Sequence, residues 1–264
     1  MDELESDRAH GARIYDYILG GNDNFAVDRQ AGEATLRAWP AMRVSMRANR
    51  AFMHRVGRFL AAERGVRQFL DIGAGIPTRP NLHEVVQEVA PEARIVYVDN
   101  DPIVLAHAQA LLTGTPQGRT AYISADVREP DGILGARELH DTLDLDRPVG
   151  LLIIAMLQFI EDDEEALRVT RRVLDALPSG SYLAVTIATA DFAPEPLGKV
   201  REQYNAHGET LRLRTKEQAA RFFEGLELEE PGVVQTHRWR PDPADAGTIA
   251  DADIAMYGAV GRKP

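Results

Sequence analysis

Apolar residues along this chain follow two different rhythms, and the change comes near Arg67. Before it, they recur at steps of three and four, as on helical faces. Ile14, Tyr17, Ile18 and Leu19 fit one such face, which Gly20 and Gly21 end, and Asn22, Asp23 and Asn24 then predict a turn. A second helix is expected from Asp28 to Leu36. A stronger one begins at Pro40 and carries Met42, Met46, Phe52, Met53, Val56, Phe59 and Leu60 on its inner stripe, up to Gly65. Arg43, Arg47, Arg50, Arg55 and Arg58 mostly occupy its other sides and read as a solvated face. Residues 1–10 are polar and expected to be loosely ordered.

From Arg67 onward, short apolar runs alternate with helical patterns, the signature of an α/β sheet. Phe69, Leu70 and Ile72 form the first run, and Arg94–Val98, Thr120–Ser124 and Tyr182–Thr186 form others. The most apolar run, Val149–Ala155, reads as a central parallel strand. Between them lie helical faces at Leu82–Val89, at Leu105, Ala108, Leu111 and Leu112, and at Leu167–Leu177, with a less regular stretch near Ile133–His140. Asp101 precedes Pro102 as an N-cap would, and Glu161–Glu165 place carboxylates at a helix start, where the helix dipole favours them. Further helices are expected at Leu197–Ala206 and after Thr215, whose capping box is completed by Gln218. Val233–Trp239 and Ile254–Val260 are two strands with no helix between them, so they pair antiparallel. The prediction is a Rossmann-like α/β fold. It has a seven-stranded sheet, mostly parallel with an antiparallel last strand, helices on both faces and an N-terminal helical cap. Residues 1–62 would form the cap or lid and 63–264 the nucleotide-binding domain.

Composition narrows the chemistry. The chain has 264 residues and a net charge of −11, which argues against nucleic acid or an anionic membrane as main partner. It has no cysteine, which excludes disulfides, Cys-based zinc sites and thiol nucleophiles. The seven histidines show no metal-ligand spacing, so no metal site is expected. No apolar run approaches a membrane span and the first residues are acidic rather than signal-like, so a cytoplasmic protein is expected.

Three strand ends carry marked residues. F-L-D-I-G-A-G-I-P-T, Phe69–Thr78, is a strand followed by a turn in which Gly73 and Gly75 permit close backbone approach to a ligand. Pro77 and Pro80 follow, where a helix could begin. Asp99 ends the second strand, about where an acidic residue grips ribose hydroxyls in a dinucleotide fold. Asp126 ends the third, where a carboxylate could accept from an adenine amino group. Each alone is usually a helix cap; together they point to an adenosine site. Thr78 stands where the dinucleotide fingerprint wants a third glycine, and Pro77 removes an N–H from a phosphate cradle. A pyrophosphate is therefore disfavoured, and an adenosine ligand without phosphates, S-adenosylmethionine, fits better.

D-I-G-A-G, V-D-N-D-P and A-D-V, with the strand pattern above, resemble the class I S-adenosylmethionine-dependent methyltransferases. R-I-Y-D-Y-I-L-G-G-N-D-N-F-A-V-D and R-A-N-R-A-F resemble, more narrowly, a bacterial methyltransferase family first catalogued as a domain of unknown function. The resemblance implies that Gly73, Ala74 and Gly75 pass beneath the methionyl part and ribose, and that Asp71 holds the methionine ammonium indirectly. It implies that Asp99 binds the ribose hydroxyls, with Asn100 beside the adenine and Asp126 and Val127 flanking it. Ala155 to Gln158 would lie near the reacting methyl group, and the stretch around Tyr15, Asp16 and Asn22 would fold over the cofactor. Relatives often carry His where Gln158 stands, and an amide cannot take up that proton. Candidate bases are the histidines, Asp16 and Asp191, unranked. The chain after the fourth strand, A-M-L-Q-F-I, lacks an N-P-P-Y type of motif, which leaves a small molecule as the expected acceptor. The alternatives are a protein that binds S-adenosylmethionine or its product without transfer, and a nicotinamide oxidoreductase.

Overall fold

The computed structural model describes residues 8–111, 114–244 and 246–264, with side chains at all of these but 108–111. The expectations for residues 1–7 and for inward side chains at Ala108, Leu111 and Leu112 lie outside what is described. Three helices come first: α1 (Gly11–Leu19), α2 (Ala26–Ala38) and α3 (Met42–Ala62). Gly20 ends α1 at φ +93°, where its amide reaches the carbonyls of Asp16 and Tyr17. The alternating part follows as β1 (Gln68–Ile72), α4 (Leu82–Val89), β2 (Arg94–Asp99), α5 (Pro102–Leu111), β3 (Arg119–Ser124), α6 (Pro130–Leu134), α7 (Arg137–Thr142), β4 (Gly150–Ile153), α8 (Asp163–Asp175) and β5 (Tyr182–Ala188). Then come α9 (Pro194–Ala206), α10 (Lys216–Ala220), β6 (Glu227–Leu228), β7 (Val234–Gln235) and β8 (Met256–Arg262).

The strand order is β3-β2-β1-β4-β5-β8-β6, with β7 also on β8. β1 to β5 are parallel, and β8 runs antiparallel to β5 over seven paired positions, Tyr182–Ala188 against Arg262–Met256. The order reverses between β1 and β4, and in such sheets ligands bind beyond the strand ends at that point. The sheet has eight strands rather than seven. The run Val233–Trp239 extends for only two residues before a 3₁₀ turn at Thr236–Arg238, and Glu227–Leu228 pairs with β8 as an additional short strand.

Successive residues of a strand face opposite sides, and both sides are covered. Leu70, Ile72, Val96, Leu151 and Leu183 pack with Val169 and Val173 of α8. Phe69, Ile95, Tyr97 and Leu152 pack with Phe52, Val56 and Leu60 of α3 and with Val86 of α4. A third cluster joins Ile14 and Ile18 of α1 and Met42 and Met46 of α3 to Leu197, Tyr204 and Met256. The inner stripe of α3 thus serves two clusters, its start facing the N-terminal helices and its end facing the sheet.

Not every arginine on α3 is solvated. Arg55 is 7% exposed and donates to the carbonyls of Thr236 and Trp239. The helical pattern could not show this, because the carbonyls come from the 3₁₀ turn that replaces the expected strand. Phe52 and Phe59 meet the fully buried Trp239 ring edge to face, which seats α3 against that turn.

Candidate functional site

The glycine turn is a loop rather than a strand-to-helix elbow. Gly73 and Gly75 sit at φ +75° and +65°, where a side chain is strained. A Cβ on Gly73 would lie 2.4 Å from Met156 Cγ, so the loop after β4 rests directly on this glycine. The amides of Gly73 and Ala74 donate to the Val98 carbonyl. No helix begins at Pro77 or Pro80: α4 starts only at Leu82, capped by Asn81 and Glu84. The helix N-terminus that would hold a phosphate is therefore displaced from the turn.

Asp99 ties the turn to the next strand. Its Oδ2 accepts from Gly75 N–H at 2.8 Å and its Oδ1 from Asp101 N–H at 3.0 Å. Each oxygen keeps a further lone pair. Asp101 in turn caps α5 through Ile103 N–H. Asn100 is exposed, and its Nδ2 stands 3.5 Å from Asp126 Oδ2. Asp126 also accepts from Arg128, through the backbone N–H at 2.8 Å and the guanidinium at 3.1 Å.

These residues line one cavity at the carboxyl ends of the strands. The structure brings Asp71, Gly73, Ala74, Gly75, Asp99, Asn100, Asp126, Val127, Ala155, Gln158 and Tyr15 to its wall. Asn22 is not among them. It is exposed, because Gly20 ends α1 and turns the chain outward. Asp16 lines the cavity and anchors that turn by accepting from Asp23 N–H and Asn24 Nδ2. Asn49 and Arg50 reach the wall, whereas Arg47 is exposed and does not.

Asp71 carries a buried carboxyl group into the site. It is 5% exposed, and no described residue donates a hydrogen bond to it. Burial pushes its carboxyl up to about 7, opposed by the nearby Arg50 charge and reinforced by Asp99. Burial also raises Asp99, against the two backbone hydrogen bonds that favour its ionised form. A buried carboxylate without a donor calls for a cation or a protonated group.

After β4 the backbone is held in an unusual state. Ala155 has φ +53°, which costs a non-glycine residue about 1 kcal/mol or more. Its N–H is taken by Thr186 Oγ1 at 2.8 Å and its carbonyl by Gln158 Nε2 at 2.7 Å. The following turn is pinned by Arg214, 1% exposed, which donates to the carbonyls of Leu157 and Ile160 and to Asp163. The acidic helix start thus serves as more than a cap: Asp163 also pairs with Arg212. Arg214 had no signal in the sequence, since its partners lie more than fifty residues away. Helix α1 packs against this turn. Gly11 of α1 is so close to Phe159 that a Cβ would sit 2.7 Å from Phe159 Cζ. Tyr15 donates to the Met46 carbonyl and accepts from Asn49 Nδ2. The wall is completed by Leu197, Tyr204, Glu209, Leu211, Leu213, Ala255 and Met256, a set the sequence pattern did not mark.

The family model described as S-adenosyl methyltransferase matches residues 1–264. The chain belongs to the S-adenosyl methyltransferase family. This methyltransferase is similar to a crystal structure of a DUF574 family protein from Streptomyces avermitilis MA-4680, with 58% identity, a TM-score of 0.97 and coverage of 99% of this chain and 100% of that one. It is also similar to the structure of a candidate methyltransferase from Thermobifida fusca YX, with 39% identity, a TM-score of 0.90 and coverage of 99% and 97%. A methyltransferase from Anabaena variabilis ATCC 29413 shares the fold at 14% identity and a TM-score of 0.52. No curated protein matches. The enzyme is therefore S-adenosylmethionine-dependent, and the site suits that cation. Asp71, Asp99 and Asp126 place three carboxyl groups on the cavity wall. Among the described residues, no helix of the methyltransferase is long and apolar enough to cross a membrane.

Proposed function

We propose that this chain transfers a methyl group from S-adenosylmethionine to a small-molecule acceptor enclosed beneath its N-terminal helices. The observation that carries the reading is the buried Asp71 carboxyl, to which no described residue donates a hydrogen bond, on the wall of the cavity that also carries Asp99 and Asp126. The cofactor supplies a methyl group already activated on a sulfonium sulfur. The protein's work is then alignment and exclusion of water.

Each residue has a part in that alignment. Gly73, Ala74 and Gly75 would leave room for the methionyl chain and ribose. Asp71 would face the ammonium. Asp99 would offer its two spare lone pairs to the ribose diol while keeping Gly75 and Asp101 in place. Asn100, Asp126 and Val127 would border the adenine. The turn from Ala155 to Gln158, fixed by Thr186 and Arg214, would face the transferable methyl. Helices α1 and α2 and the first half of α3, within residues 1–62, would form the lid, with Tyr15 bonded across to α3. Asn22 has no part.

The test is methyl transfer from labelled S-adenosylmethionine, read as S-adenosylhomocysteine formed. Wild-type protein should form it with an acceptor present, and Asp99→Ala should lose cofactor binding while retaining its fold. Unchanged cofactor affinity in Asp99→Ala would remove the ribose assignment.

A further inference from the structure

The chain has six methionines, and five of them meet at one place. Met42, Met46 and Met53 of α3, Met156 after β4 and Met256 at the start of β8 all line the cavity. The sixth, Met1, lies outside the described residues. Among its described residues, the core cluster on the α8 side of the sheet has no buried methionine.

Helical spacing explains only part of this gathering. Met42, Met46 and Met53 share the inner stripe of α3 with Phe52, Val56 and Leu60, and a methionine on such a stripe is usually a filler of core gaps. Exposure separates the two sets. Phe52, Val56 and Leu60 are wholly buried, whereas Met42, Met46 and Met53 keep 8%, 8% and 6% of their surface, and Met256 keeps 8%. On this stripe the branched and aromatic side chains fill the core, and the unbranched thioethers border the cavity.

A thioether chain has three rotatable bonds and a polarisable sulfur. It re-fits around neighbours of different outline, and it makes favourable contacts with aromatic rings. One sulfur–aromatic contact is worth about twofold to tenfold in affinity. Aromatic side chains stand beside the thioethers. Phe159 and Tyr204 are on the same wall with ring centroids 6.5 Å apart and planes tilted by 33°, and such rings favour an offset or edge contact with a third. Tyr204 also shares a packed cluster with Met42, Met46 and Met256, so sulfur and ring belong to one chamber. Arg50, Arg128, His10 and Glu209 lie on the wall of the same cavity, where polar substituents of a ring would find partners.

Resting on the methyl-transfer reading above, we infer that the acceptor is an aromatic molecule whose ring lies against this methionine face, and that the chamber adapts to rings of different outline. A lone pair on a hydrogen-bearing nitrogen or oxygen of that molecule forms the new bond to the methyl carbon as the C–S bond breaks. The sulfur keeps the bonding pair as a neutral thioether, and the proton of the acceptor atom passes to water. The methionines take no part in that step; they position the ring.

The experiment has two arms, both on the full chain. In the first, the protein saturated with S-adenosylhomocysteine is titrated with 2-naphthalenemethanol and with its saturated counterpart, decahydronaphthalene-2-methanol, which carries the same hydroxymethyl group without a π-face. The aromatic probe should bind about fivefold to tenfold tighter. Met46→Leu, which conserves volume, should erase most of that difference while the affinity of the saturated probe stays within about twofold; Met256→Leu serves if Met46→Leu fails to fold. 1-Naphthalenemethanol, of equal size and different outline, should bind within about threefold of its isomer. Equal or tighter binding of the saturated probe, no binding of either, a difference that survives both substitutions, or a preference above tenfold for one isomer would overturn the inference. In the second arm, S-adenosylmethionine carrying a ¹³C methyl group is incubated with the protein and a bacterial small-molecule extract. Labelled products should carry aromatic rings. Labelled products without a ring would overturn the inference and leave methyl transfer intact. No labelled product, with S-adenosylhomocysteine still bound, would overturn methyl transfer and the inference with it.

Discussion

Replacing Asp71 by Asn tests the electrostatics of the site without altering its shape. In the ligand-free protein the Asp71 carboxyl is raised from 3.8 to about 7, mainly by burial. The folded state therefore holds a proton that the unfolded state has released between these values, and stability falls as pH rises through that window. At about 1.4 kcal/mol per pH unit the full loss above pH 7 is on the order of 4 kcal/mol. Most of it, about 3 kcal/mol, accrues between pH 5 and pH 8. Asp71→Asn cannot ionise, so this component vanishes. In urea unfolding of the ligand-free proteins, the variant should gain about 3 kcal/mol over wild type on going from pH 5 to pH 8. Wild-type affinity for S-adenosylmethionine should rise with pH through 7, as the carboxylate forms to meet the cation. The variant should bind more weakly and without that dependence. Equal pH profiles for the two proteins, or a variant that loses stability relative to wild type at pH 8, would refute the reasoning.

Other substitutions probe the frame around that charge. Gly73→Ala puts a Cβ 2.4 Å from Met156 Cγ at a φ of +75°, so a loss of about 1–3 kcal/mol is expected with weakened cofactor binding, by thermal unfolding and calorimetry. Arg214→Met leaves the Leu157 and Ile160 carbonyls without their donor, and should cost about 3 kcal/mol and lower kcat more than cofactor affinity. Gly11→Val would press on Phe159 and prop the first helix away, raising the KM for S-adenosylmethionine several-fold with little effect on Tm.

The sheet was legible because its signals are local. Val149–Ala155 is apolar throughout because β4 is buried on both faces between β1 and β5. Asp99 and Asp126 could be placed from sequence because strand ends position whatever follows them. What failed was non-local. Asn22 shares a motif with Tyr15, yet the left-handed Gly20 sends it outward while Tyr15 turns in. Arg55 sits in a row of arginines, and only the 3₁₀ turn at Thr236–Arg238 explains its burial. The strand expected there stops after Gln235, because the chain turns to supply carbonyls to that guanidinium and Trp239 to the α3 stripe. The apolar side of the cavity wall was invisible for the same reason, its residues coming from α3, α9, the stretch after α9 and the start of β8 with no shared pattern.

Titration calorimetry with S-adenosylmethionine, S-adenosylhomocysteine and NAD tests the central claim most directly, that the carboxyl groups at the ends of β1, β2 and β3 select a cationic adenosine cofactor. The account predicts saturable binding of both sulfur ligands, lost in Asp99→Ala, and no heat from NAD. Tight binding of NAD with no response to either sulfur ligand would contradict it.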